Sequence, residues 1–95
     1  MNPKLIRLEN LADAAHAQLR QCGENLRKAR EERMALDRHR EDLEAKKFKL
    51  SASDRERLNE LADRVEHLTG VYDDLRADHR AKRDLFNRCK EHAHG

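Results

Sequence analysis

Apolar residues recur along this chain in alternating steps of three and four. Stepping from Leu5 in this way visits Leu5, Leu8, Ala12, Ala15, Leu19, Cys22, Leu26, Ala29, Arg33, Leu36, Arg40, Leu43, Lys47 and Leu50, and eleven of these fourteen are apolar. With 37% of all residues apolar, chance does not supply such a run. The spacing gathers these positions into one stripe of an α-helix, the a and d positions of a heptad. Leu5, Ala12, Leu19 and Leu26 fall at a, and Leu8, Ala15, Cys22, Ala29, Leu36, Leu43 and Leu50 at d. The flanking e and g positions are mostly polar (Glu9, His16, Gln18, Asn25, Glu32, Asp37), with Leu11 the main exception. A stripe this narrow is a coiled-coil seam rather than the broad face of a globular helix. A second series begins at Leu58 and continues through Leu61, Val65, Leu68, Tyr72, Leu75, His79, Lys82, Phe86, Cys89 and Ala93, nine of eleven apolar. Val71 and Leu85 widen its stripe on one side.

Leu50 and Leu58 are eight residues apart where an unbroken heptad needs four or seven, so the phase slips between the two series. Ser53 followed by Glu56 makes a capping-box pattern, in which two side chains satisfy free backbone N–H groups at a helix start. Asn2 and Pro3 form a second start signal, because a proline at the first helical position loses nothing by lacking an N–H. The expected architecture is all-α: an antiparallel two-helix coiled-coil hairpin within one helical domain, residues 1–95. Helix one is expected over about 3–50, the turn over about 51–53 and helix two over about 54–92. One long continuous helix is the alternative, since the turn has neither Gly nor Pro and a stutter also absorbs a phase slip. Gly23 and Gly70 weaken the helices, by about 1 kcal/mol each relative to Ala, without interrupting the heptads.

A 95-residue chain with 42% charged residues and three aromatics (Phe48, Tyr72, Phe86) has little from which to build a deep core. Such composition also describes disordered chains; the periodicity argues against disorder here. A two-helix coil with one narrow seam is marginal alone, and self-association into a dimer or four-helix bundle is the expected remedy. The 21 Lys and Arg nearly balance 19 Asp and Glu, so no one-sign field covers the molecule. No apolar run is long enough for a membrane span, and Met1-Asn2-Pro3-Lys4, followed by Glu9 and Asp13, lacks a signal peptide's hydrophobic stretch. These features point to a cytoplasmic chain with Cys22 and Cys89 reduced.

Folding about position 52 predicts that facing residues have numbers adding to ~104, at 1.5 Å rise per residue. Leu43 then meets Leu61, Leu36 meets Leu68 and Leu19 meets Leu85. Cys22 faces Lys82 and Cys89 faces Ala15, too far apart along the axis for a disulfide. Arg33, Arg40 and Lys47 break the first series at successive a positions. Their stems cover the seam while their charges reach water or Glu60, Asp63 and Glu66 across the hairpin. The sharper alternative is that they weaken self-pairing and leave room for a specific partner.

No catalytic constellation is present. Ser51 and Ser53 lack a neighbouring base, there is no Gly-rich phosphate loop, and a two-helix coil offers no dehydrated pocket. Cys89 and His92 share a helix face, and the fold-back carries His16 to the same level, so these three form a weak metal candidate beside His94. A polar helix end finished by Gly95 is the simpler reading, and no cofactor is expected. The chain therefore reads as a non-enzymatic protein–protein interaction module: an adaptor, scaffold or inhibitor-type binder. A small nucleic-acid-binding regulator on a hairpin dimer is the alternative, although acids interleave with most of the bases. The candidate partner-binding surface is the turn, where Lys46, Lys47, Lys49, Arg55 and Arg57 surround an outward Phe48.

Overall fold

Asn2 starts the first helix. Its Oδ1 accepts the Lys4 backbone N–H at 3.0 Å, and its carbonyl accepts the Ile6 N–H at 3.2 Å. Pro3 occupies the first helical position, where a missing N–H loses no intrahelical bond. The structure, a computed structural model, describes residues 2–94, and side chains only as far as residue 92. Two helices account for nearly all of it: α1, Pro3–Ala45, and α2, Ala52–His94, packed antiparallel as an all-α hairpin. Both helices run through their glycines without a break. The single continuous rod is excluded by the turn between them.

The turn lies earlier than the heptads suggest, over residues 46–51 instead of 51–53. Helix one thus ends at Ala45, not near 50, and helix two begins at Ala52, not at 54. The reason is a cap built without glycine. Lys47 adopts φ 63°, the left-handed region that non-glycine residues enter at a cost of about 1–2 kcal/mol. This lets the Phe48 N–H donate to the Leu43 carbonyl at 2.8 Å and the Lys47 N–H to the Glu44 carbonyl at 3.0 Å. Those two bonds make a Schellman motif, which satisfies carbonyls that α1 would otherwise leave open. On the far side, Ser51 and not Ser53 is the cap. Ser51 Oγ accepts the Asp54 N–H at 3.1 Å, and the Ser51 carbonyl accepts the Arg55 N–H at 3.0 Å. Asp54 then sits in the first turn of α2, where its charge suits the helix dipole. Leu50, read as a helical d residue, belongs to the loop and is 5% exposed.

Two compact units divide the chain. The terminal unit comprises residues up to Gly23 on α1 and from Val71 on α2; the tip unit is Glu24–Gly70. In the terminal unit the buried residues are small: Ala12, Ala15 and Cys22. Leu5, Leu8, Leu19, Tyr72, Leu75 and Phe86 are half-buried. A Cβ on Gly23 would lie 3.2 Å from Cε2 of Tyr72, so the missing side chain is what admits the ring so close to α1. In the tip unit Leu26, Ala29, Leu50 and Leu61 are buried, with Leu36, Leu43, Leu58, Val65 and Leu68 half-buried around them. Leu61 is fully enclosed at 0% exposure, a burial that contributes about 1.5–3 kcal/mol.

The earlier turn also corrects the register. His16 faces His79, and Gly23 faces Tyr72; the numbers in each pair add to 95. That is about two and a half helical turns from the expected alignment. Within the terminal unit Leu19 therefore lies near the level of Leu75 instead of Leu85, and Cys22 near that of Tyr72 instead of Lys82. Cys22 and Cys89 are not joined by a disulfide.

Candidate interaction surface

Around the turn, the loop itself supplies Lys46, Lys47, Phe48 and Lys49, and the first turn of α2 supplies Arg55. Phe48 is 63% exposed, the most exposed large apolar residue described. The third residue beyond the end of α1, it follows the left-handed Lys47, and its side chain stands largely in solvent. Lys49 and Arg55 line an open cleft of about 400 Å³ with Arg40 and Glu44, over a floor that includes Leu50 and Leu58.

Arg57 does not join this group. Its Nε donates to Glu32 Oε1 at 2.8 Å and its Nη2 to Glu32 Oε2 at 2.9 Å, a two-pronged bridge from α2 to α1. Its Nη1 also donates to Glu60 Oε2 at 3.3 Å. These hydrogen bonds, Glu32 first and Glu60 second, raise the guanidinium pKa above its ordinary value. Two carboxylates thus offset the charge expected at the tip. In this cross-helix pair the acid lies on α1 and the base on α2. Arg40 pairs within its own helix, with Asp37 at 3.2 Å, and Lys47 is a loop residue. On the outer face of α1, Arg27 binds both Glu24 and Glu31.

In the terminal unit the two sides of the seam differ. On the side of the e positions, Glu9, Asp13, His16, His79, Arg83 and Phe86 line a shallow cleft of about 360 Å³. The imidazoles of His16 and His79 lie 5.0 Å apart, centroid to centroid, at 43°. His16 is consequently ten residues from the level of Cys89 along α2, about 15 Å. The candidate trio Cys89, His92 and His16 is not brought together, and the side chain of His94, like Gly95, lies outside the described residues. Among the described residues no group of three or more His, Cys, Asp or Glu is arranged to hold a metal ion.

On the g side stand Leu11 from α1 and Leu85 from α2, 45% and 48% exposed. The sequence marks Leu11 as an exception to polar flanks and Leu85 as widening the second stripe opposite Leu19, without pointing to either as interaction surface. The available signal was their shared heptad position: in an antiparallel pair g faces g, as Glu32 and Arg57 do in the tip unit.

No described helix is long and apolar enough to cross a membrane. Comparisons with protein-family models, curated proteins and solved structures found no match.

Proposed function

We propose that the chain is a non-enzymatic coiled-coil interaction module of the cytoplasm, one that completes its apolar seam by pairing with another helical surface. The observation that carries this reading is its exposed area, 7582 Å². A compact monomer of 11.2 kDa would expose roughly 5,700 Å², and the unfolded chain roughly 16,000 Å². The hairpin therefore buries only about half of its unfolded surface, well short of what a self-sufficient domain of this length removes from water. The excess, roughly 1,900 Å², is more than twice the ~800 Å² each partner contributes to a standard interface. Pairing with a second copy, as a dimer or four-helix bundle, is the simplest way to cover it. Sedimentation and circular dichroism across micromolar concentrations test the reading. A dimeric mass and a melting temperature that rises with concentration are expected. A highly helical monomer whose melting is independent of concentration would overturn it.

A second reading, a nucleic-acid-binding regulator, draws on one feature: Lys46, Lys47, Lys49 and Arg55 gather at the turn while Arg57 is withdrawn. Its measure is duplex binding at low and moderate salt, with Lys46, Lys47 and Lys49 changed to Glu. A steep salt dependence lost in the variant supports it, and no binding at low salt removes it.

A further inference from the structure

We infer that the second copy docks on one flank of the terminal unit, centred on Leu11 and Leu85, in a two-fold pairing of terminal unit with terminal unit. This inference rests on the self-association proposed above and names its surface.

The register places the two helices' residues side by side along this flank. Leu11 and Leu85 stand at one level, Ala14 and Ala81 at the next, and Gln18 and Asp78 at the third. Leu11 and Leu85 are the large apolar residues of the group and are nearly half exposed. Ala14, Ala81 and Gln18 are exposed and carry no charge. Asp78, the one ionised residue, is half-buried and accepts from Lys82 Nζ at 2.9 Å. A self-complementary interface must place each residue type against the same patch of its copy, so an ion on that patch meets its own charge. This flank is the one that tolerates such a pairing.

The alternatives fail on charge. The opposite side of the terminal unit carries Glu9, Asp13, His16 and Arg83 around its cleft. The outward face of α2 presents Asp73, Arg76, Arg80 and Asp84. In the tip unit the positions equivalent to Leu11 and Leu85 are held by Asn25, Glu32, His39, Arg57 and Arg64, polar throughout, and Glu32 and Arg57 are already bound to one another. Burying those ions under a second copy would remove them from water with no new partner. A pairing confined to the terminal units leaves them solvated and leaves the loop at the turn available to other ligands.

The test is the self-association constant of the full chain and three variants. Gln18→Glu is nearly isosteric and exposed, so it leaves the packing of the single hairpin unchanged, Asp78 at its level being already paired with Lys82, while it places a carboxylate inside the interface. Leu11→Gln with Leu85→Gln removes the two apolar anchors. Met34→Gln with Phe48→Gln removes two exposed apolar side chains from the tip unit. The first two are expected to weaken the dimer by at least about tenfold, and the third to leave it within about threefold of wild type. Gln18→Glu should retain wild-type helicity at high concentration. A wild-type chain that is monomeric overturns the self-association reading itself. A wild-type dimer that Gln18→Glu and the Leu11/Leu85 change leave intact, or that the Met34/Phe48 change weakens equally, overturns the assignment of this flank alone.

Discussion

The two units of the hairpin use the same heptad grammar to opposite ends. In the tip unit, leucines fill the seam, Leu61 is fully enclosed, and the cross-helix bridge between Glu32 and Arg57 closes one flank. A Schellman motif and a serine cap finish its turn. In the terminal unit, alanines and a cysteine line α1, half-buried rings stand on α2, and the equivalent flank carries Leu11 and Leu85 in place of an ion pair. The comparison teaches that a heptad reports where a seam is, and the residues beside it report whether that seam is finished. The flank of the tip unit is closed by an ion pair, with its exposed Met34 and Phe48 at other positions, whereas the same flank of the terminal unit leaves Leu11 and Leu85 exposed.

The largest expected effect separates the two cores. Leu61→Ala in the tip unit removes a side chain with no solvent contact and leaves a cavity, so it should lower stability by about 2–5 kcal/mol. Leu19→Ala in the terminal unit removes a half-buried side chain from a site open to water, and about 1–2 kcal/mol is expected. Chemical denaturation of both variants at one protein concentration checks this. Equal losses would erase the distinction between a closed and an open unit.

Much of this was legible in the sequence. Two amphipathic helices, their antiparallel packing and the Asn2–Pro3 start follow from spacing and from the chemistry of the first residues. The turn did not, for a specific reason. Leu43, Lys47 and Leu50 continue the 3,4 pattern straight through the end of α1, so periodicity overruns the break. The signal that should have stopped it, a glycine in the left-handed position, is replaced by Lys47, which carries no such mark. The cap is ambiguous in sequence because Ser51 and Ser53 both precede an acid by three, and the structure selects Ser51. A turn at 51–53 also implies a shifted register, in which His16 would stand level with Cys89; with the turn at 46–51 it pairs with His79 instead. At the candidate surface, Phe48 and the loop lysines lie together at the turn, but Arg57 does not join them because Glu32 holds it.

Smaller effects sharpen the picture of the turn that completes the tip unit. Lys47→Gly should stabilise by about 0.5–1 kcal/mol, because relief of the left-handed conformation exceeds the added freedom of the unfolded chain. Ser51→Ala should destabilise by about 1 kcal/mol through loss of the bond to the Asp54 N–H. Ser53→Ala should stay within about 0.5 kcal/mol. Thermal melts of the three variants check the assignment, and a larger loss from Ser53→Ala than from Ser51→Ala would return the cap to Ser53.

The glycines provide a finer comparison, one from each unit. Nothing lies within 4 Å of a Cβ added to Gly70 of the tip unit, so Gly70→Ala should gain the full helix-propensity difference of about 0.8–1 kcal/mol. In the terminal unit the added Cβ of Gly23→Ala would press on the Tyr72 ring, which must move outward. Its effect is expected to fall at least ~0.5 kcal/mol short of the Gly70 gain. Equal stabilisation at both positions would mean that the ring gives way freely and that the close approach is incidental.

The smallest expected effect is electrostatic and belongs to the tip unit. The Glu24 carboxylate accepts a hydrogen bond from Arg27, and that bond, followed by the attraction between the two charges, lowers its pKa below the usual 4.5. The same contacts, with Glu31 joining, raise the Arg27 pKa, so the guanidinium stays charged over the whole acid range. A carboxyl whose folded pKa is depressed binds its proton more readily in the unfolded chain. Its contribution to stability is therefore complete above the unfolded value and disappears as the pH falls through the folded one. Both partners are exposed, so the effect is small and diminishes with salt. Glu24→Gln should consequently lower the melting temperature slightly at neutral pH and low ionic strength, and match wild type once Glu24 is protonated in both states. Amide exchange followed from neutral pH into acid should show the difference between the two proteins confined to the turns of α1 around Glu24, with the first turns of α1 unaffected. A gap that persists at the acid end would show that the substitution acts through something other than the charge on Glu24.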